Sequence, residues 1–287
     1  MRIPRFWAKG PSEITVDDPE TGRSLDVSCW GWSDVSRGEA ATMAEQRTKA
    51  AVDMIKSGKQ PDRYLYSDRP LREEIIEEWK RPDGTTGYMI TRNSFGCLVL
   101  NTTTIMFVDV DIPESASPGL FGRLFGKKEP DPRQQQEKDA IGKLQNMVNM
   151  DPKCGVRIYR TRGGLRYLLT HSHANPSSPT TLGAMQALGA DPLYVKLCKV
   201  QECFRARLTP KPWRCDVPVL TFRYPWFDKD AEQAARKWVA EYSKETEKYA
   251  TCSFVEHLGS KAMDAEIDRV VKFHDTATKA DSGLALA

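Results

Sequence analysis

Asp109 and Asp111 stand two residues apart at the end of an apolar β run, Ile105-Met-Phe-Val-Asp-Val-Asp-Ile112. Side chains alternate across a strand, so both carboxylates point to one face with Cα atoms roughly 6–7 Å apart. Met106, Val108, Val110 and Ile112 form the opposite, apolar face expected of a strand packed on a core. Two acids held this close repel each other and call for a cation. A pair of hard oxygen ligands on a rigid strand suits Mg²⁺ or Mn²⁺ that also holds a phosphate. The competing use of such a pair is structural: acids at a strand end cap the next helix or pair with arginines.

Candidate counter-charges follow in the chain. Residues 154–214 carry ten Lys or Arg against two acids, or +8 in a protein whose net charge is +3, the footprint of a surface that meets phosphates or of a plain cationic face. Within it, two β runs fold about Gly163-Gly164, and the turn is crowded by Thr161, Arg162 and Arg166. Backbone N–H groups at such a glycine turn, with arginines beside them, suit a triphosphate or a nucleic-acid backbone, as they also suit an ordinary solvated hairpin tip. Leu193, Leu197, Val200, Phe204 and Leu208 recur at helical spacing, which predicts a helix with Lys196, Lys199, Cys203 and Arg207 on the adjacent face. Cys198, Cys203 and Cys215 lie near His171 and His173 in sequence but lack the tight Cys-x-x-Cys spacing that specifies zinc, so zinc is not expected.

The elements that must position these groups are legible in outline. Residues 25–32 read as a strand and 37–56 as a helix with Ser36 as N-cap and Glu39 at the capping-box position. Trp30 and Trp32 read as packing residues. A shorter helix is expected over 69–79. Residues 88–92, 96–101 and 104–112 read as three strands joined by turns too short for helical crossovers, hence an antiparallel meander. A loop of about twenty residues rich in Gly, Pro and charge follows, including Lys127 and Lys128, then a helix over 134–150 with Ile141, Leu144, Met147 and Val148 on one face. A last strand is expected over 217–223, helices over 231–249 and 262–274, and a disordered tail over 276–287. His257 and His274 read as surface or packing residues. The organisation expected is an α/β flank over 1–85 packed on a core of 86–225, C-terminal helices over 226–275, and the tail. No apolar run nears the roughly 18 residues that cross a membrane, and the N-terminus lacks a signal-peptide core. Seven cysteines suit a reducing compartment better than a disulfide framework. The reading is a soluble, cytoplasmic protein.

A meander ending in a hydrophobic-Asp-hydrophobic-Asp strand, then a helix, then a glycine-turn hairpin, resembles the catalytic core of the archaeo-eukaryotic primase, or primase-polymerase, superfamily over about residues 86–225. The resemblance implies an α+β fold with an antiparallel, palm-like sheet core packed with helices and a helical C-terminal extension. It implies that Asp109 and Asp111 hold Mg²⁺ or Mn²⁺, and that nucleoside triphosphate and nucleic acid are the partners. The family's Ser-x-His element on a glycine hairpin is matched by Thr161-Arg-Gly-Gly-Leu-Arg166, with Arg166 where a catalytic histidine is expected; arginine binds phosphate but shuttles no proton at neutral pH. The family's basic segment is matched by Cys203-Phe-Arg-Ala-Arg-Leu-Thr-Pro-Lys-Pro-Trp213, so Arg205, Arg207 and Lys211 join Thr161, Arg162, Gly163 and Gly164 as expected phosphate contacts. Asp191 is the expected third metal ligand. Two function classes follow: a metal-dependent nucleotidyltransferase, or a binder of nucleotide or nucleic acid on the same scaffold without the chemistry, which the arginine at 166 favours. A phosphohydrolase that starts from Asp-x-Asp fits less well, since Ile112-Pro113 follows the pair.

Overall fold

The computed structural model describes residues 1–11, 14–17, 22, 24–59, 70–112 and 132–287. These divide into two compact units, residues 2–73, and residues 74–287 with Met1. The charged loop after Ile112, with Lys127 and Lys128, lies outside the described residues.

In the first unit, β1 (Phe6–Lys9) pairs antiparallel with β4 (Trp30–Ser33), and β2 (Ile14–Asp17) with β3 (Ser24–Val27). The expected strand over 25–32 is thus two strands, broken at Ser28-Cys29, where the Cys29 carbonyl takes the Gly10 N–H. Helix α1 (Arg37–Lys56) starts where predicted: Ser36 Oγ accepts the Glu39 N–H at 3.1 Å. Glu39 itself accepts from Ser33 Oγ at 2.7 Å. Ala40, Ala44, Thr48 and Val52 form the buried face of α1. Gly31 lets β4 lie flat on it, since a Cβ there would stand 2.2 Å from the Ala40 carbonyl oxygen. Trp32 packs on Trp7 at 5.8 Å between ring centroids, with Arg47 over its face, the packing role expected of it.

The second unit is α+β, and its described residues form two four-stranded antiparallel sheets. One sheet has the order β11 (Phe204–Arg207), β7 (Leu98–Thr102), β6 (Thr86–Arg92), β5 (Glu74–Lys80). The other has the order β12 (Cys252–Gly259), β9 (Gly155–Thr161), β10 (Gly164–Leu169), β8 (Phe107–Asp111). Its described residues also form five helices, α2 (Pro132–Met150), α3 (Pro179–Ala187), α4 (Pro192–Gln201), α5 (Lys229–Thr246) and α6 (Ala265–Thr278), and a 3₁₀ turn spans Pro212–Arg214. Leu144 and Val148 of α2 are buried and Ile141 and Met147 pack on the core, as their spacing predicts. Among the described residues, no helix is long and apolar enough to cross a membrane, and all seven cysteines are free thiols.

Several expectations fail for reasons of pairing. The helix expected over 69–79 is strand β5 from Glu74 onward, because Trp79 stacks on its cross-strand partner Tyr88 at 5.6 Å and Glu74 meets its partner Arg92, and such cross-strand contacts outweigh the helix propensity of a glutamate-rich segment. The three-strand meander is broken, since Thr103–Met106 carries the chain from β7 to the other sheet, where β8 pairs with β10. The helix expected to run to Leu208 stops at Gln201, with Glu202 in the left-handed region (φ 54°). Phe204–Arg207 then pairs with β7 as strand β11. The buried face of α4 is Tyr194, Val195, Cys198 and Gln201, while Leu193 is exposed. Residues 217–223 form no strand. The C-terminal region is not all helical: β12 joins the edge of the β9 sheet. The expected tail is ordered, with α6 reaching Thr278, Ala250 bridging Leu286, and Ala287 buried.

Candidate active site

The register of β8 on β10 sets the two acids opposite Arg166 and Gly164: Asp109 faces Arg166 and Asp111 faces Gly164. Asp109 and Asp111 share a face, as strand parity predicts, but their surroundings differ. Arg166 is 1% exposed and grips Asp109 with two bonds, Nε to Oδ1 at 2.7 Å and Nη2 to Oδ2 at 3.1 Å. Its Nη1 donates to the Arg207 carbonyl at 2.8 Å. Burial disfavours the Arg166 charge, yet the Asp109 carboxylate, through its charge and hydrogen bonds, holds the pKa above the ordinary arginine value. The guanidinium therefore stays protonated and points into the core. Arg166, expected at the phosphates as a catalytic residue, does not reach the surface: it turns inward to an acid, because at a buried cross-strand position its charge needs a partner.

A polar chain continues beneath it. His274 is fully buried, its Nε2 3.5 Å from Arg166 Nη1 and its Nδ1 3.3 Å from Asp275 Oδ1. Burial, with the Arg166 charge adding to it, lowers the His274 pKa to about 4. Asp275 also accepts from the Tyr159 hydroxyl at 2.6 Å and from Arg157 at 2.5 Å. A neutral imidazole suits this place, since it gives Nδ1–H to Asp275 and leaves Nε2 to accept from Arg166.

Asp111, by contrast, is exposed at the mouth of the site. Partial burial raises its pKa, and the charges of Asp191 and Asp109 raise it further, against the opposing pull of Lys211 and Arg207. Asp191 reaches this neighbourhood as the N-cap of α4: its carboxylate accepts the Leu193 and Tyr194 N–H groups at 3.1 and 3.2 Å, and its own N–H donates to the Asp109 carbonyl at 3.1 Å. The Tyr194 hydroxyl lies 2.9 Å from the Phe107 carbonyl and 3.0 Å from that of Arg205. Helix α4 thereby ties the edge of one sheet to the edge of the other, and fixes β11 beside β8.

The cations come from the end of β11 and the segment after it. Arg207 has its pKa lowered by burial and by Arg166, and its Nε is buried without a hydrogen-bond partner among the described residues. Lys211 is half-buried, its pKa lowered by burial, Arg207 and Arg214. The β9–β10 turn closes the site through Gly163. A Cβ on Gly163 would stand 3.9 Å from Asp111 Oδ1 and 4.0 Å from Arg214 Nη2, so acid and base converge on the turn. Gly164 (φ 155°) admits no side chain, since a Cβ would lie 2.1 Å from the Val110 carbonyl oxygen. Arg162 is exposed, and its carbonyl accepts from Arg133 Nη2 at 3.0 Å; Thr161 pairs with Gly164 at the end of β9. Arg205 is buried at 7% exposure, its charge acting on the Cys198 thiol, which sets it under α4 and not at the mouth. Arg214, read in the sequence only as part of the basic segment, belongs to the site. His274 and Asp275 lie more than a hundred residues from Arg166 and leave no local signal of their place beneath it.

The described residues contain no group of three or more His, Cys, Asp or Glu spaced to hold a metal ion. Both Asp109 oxygens are engaged by Arg166 and both Asp191 oxygens by the start of α4. A cage made of protein ligands alone does not fit this donor set. The donor set is compatible only with an open site, in which one or two carboxylates would hold an ion such as Mg²⁺ through their remaining lone pairs and other ligands would complete the shell. No protein-family model, no curated protein and no solved structure matches the chain.

Proposed function

We propose that this site binds a nucleoside triphosphate with Mg²⁺ or Mn²⁺ and belongs to a nucleotidyltransferase of the primase-polymerase type. The observation that carries the reading is that Asp111, flanked by the charges of Asp109 and Asp191 and within the pull of Arg207 and Lys211, converges with Arg214 on the Gly163 turn. Asp111 is the principal metal ligand and Asp109 the second; the ion supplies neutralisation of phosphate charge when bound. Arg207, Lys211 and Arg214 supply cations to the phosphates. Arg166 is a positioning residue that fixes the Asp109 carboxylate. Phosphoryl transfer asks a protein chiefly for positioning and charge, so a buried arginine in a histidine's place does not itself abolish it.

A second reading, a nucleotide binder without the chemistry, is favoured by one observation: Arg166 already neutralises Asp109, so the acid pair is not held together only for want of a metal. Two measurements separate the readings. Titration of Mn²⁺ with nucleoside triphosphate is expected to show binding that Asp111→Ala abolishes, and primer extension by the wild type is expected to disappear in the same variant. Undiminished binding and extension in Asp111→Ala would remove Asp111 from the site. Binding without extension by the wild type would leave the binder.

A further inference from the structure

Two aromatic rings stand at the surface beside this site. Phe95 is 44% exposed and Trp213 is 45% exposed, and they pack edge to face with centroids 5.4 Å apart at 82°. Both are held by rigid local structure. Phe95 projects from the β6–β7 turn, where Asn93 Oδ1 accepts the N–H groups of Phe95 and Cys97, and where Gly96 (φ 87°) leaves room for the Trp238 ring, which a Cβ would approach to 2.4 Å. Trp213 sits in the 3₁₀ turn, fixed by Pro212 at its start and by the Arg214 N–H to Lys211 carbonyl bond at 2.9 Å.

The platform is joined to the acids by charge. Lys211 Nζ lies 5.4 Å from the Trp213 ring centroid, and the same ammonium pulls on Asp111. Arg214, next after Trp213, reaches the Gly163 turn that Asp111 also approaches. Arg207, Lys211 and Arg214 thus lie in one short segment with Trp213, so the cations near Asp111 and the aromatic surface share a single stretch of chain.

We infer that Phe95 and Trp213 stack bases of a single-stranded nucleic acid whose phosphates meet Lys211 and Arg214, so that the strand is led toward Asp111. The chemistry selects this occupant. A single strand offers both base faces and backbone charge, and tolerates any base because every base has a π-face. A duplex hides those faces within its stack. That the strand is led to Asp111 for a purpose rests on the proposed function; the platform itself rests on Phe95, Trp213 and Lys211.

The test is fluorescence anisotropy of a labelled oligo(dT) of about ten nucleotides with the full chain, over a range of salt concentrations. Trp213→Ala is expected to weaken binding roughly tenfold or more, as loss of one stacked base does, with the salt slope unchanged. Trp213→Phe keeps most of the affinity. Arg214→Ala is expected to lower the slope by about one unit. Phe95→Ala, at the tip of an exposed turn, reads out the same loss and decides the matter should Trp213→Ala fail to fold. Wild-type affinity in both aromatic variants overturns the platform. So does absence of oligonucleotide binding by the wild type, and titration of Mn²⁺ with nucleoside triphosphate on that same sample then shows separately whether the proposed function stands.

Discussion

Asp109 and Asp111 share one strand face, yet Asp109 is held by a buried arginine while Asp111 meets solvent, two other acids and two cations. Their removal therefore acts on different properties. Asp109→Ala leaves Arg166 charged and unpaired in the core, and is expected to cost about 3 kcal/mol or more of stability, near the lower end for a broken buried pair because Asp109 keeps a third of its exposure. Asp111→Ala removes an exposed acid with like-charged neighbours, and its stability is expected to stay within about 0.5 kcal/mol of the wild type. Urea unfolding of the two variants checks this, and equal losses would show that Arg166 is not the decisive partner. Strand parity made both acids legible as candidates. Which would be held by a buried charge and which would meet solvent was not legible, since that depends on an arginine 57 residues away in the chain.

At the level of elements, the β9–β10 hairpin and its approach to β8 decide the shape of the site. The two glycines of the turn answer to different demands. Gly164→Ala would drive a methyl into the Val110 carbonyl, and is expected to destabilise the protein by roughly 2 kcal/mol or more through overpacking and a strained φ. Gly163→Ala meets only ordinary contacts, with Asp111 Oδ1 at 3.9 Å and Arg214 Nη2 at 4.0 Å. It is expected to fold with near wild-type stability but to weaken binding of Mn²⁺ with nucleoside triphosphate, because the methyl sits where those two side chains converge. Thermal unfolding and titration calorimetry of the two variants separate the effects. A destabilised Gly163→Ala with unchanged binding would show the turn to be structural at both positions.

For the whole molecule, the buried chain from Asp109 through Arg166 and His274 to Asp275 ties β8 and β10 to α6. His274 carries a pKa lowered to about 4 in the fold, against about 6.5 in an unfolded chain. Between those values the unfolded state binds the extra proton, so stability is fully present above about pH 6.5 and falls as pH drops toward 4. Asp275, whose pKa is lowered in the fold, adds its own loss as pH falls from the ordinary aspartate value toward its lower folded one. Urea midpoints measured from pH 7 to pH 4 are expected to decline in the wild type and to decline less over that window in His274→Gln. Parallel curves for the two proteins would place the acid sensitivity elsewhere.

What the sequence determined by itself is local. The shared face of Asp109 and Asp111, the Ser36 cap on α1, the buried stripe of α2 and the hairpin at Gly163-Gly164 all follow from relations between residues two to four apart, or across one tight turn. Tertiary structure decided the rest. Strand β5 exists because Trp79 finds Tyr88, β11 because β7 offers an open edge, and β12 because β9 does. Arg166 turns inward because Asp109 is its cross-strand partner, and Arg214 joins the site because the 3₁₀ turn carries it to Gly163. In each case the favourable energy comes from a partner distant in the chain, and a short window of sequence carries a residue's own propensity but not the charge or edge it will meet.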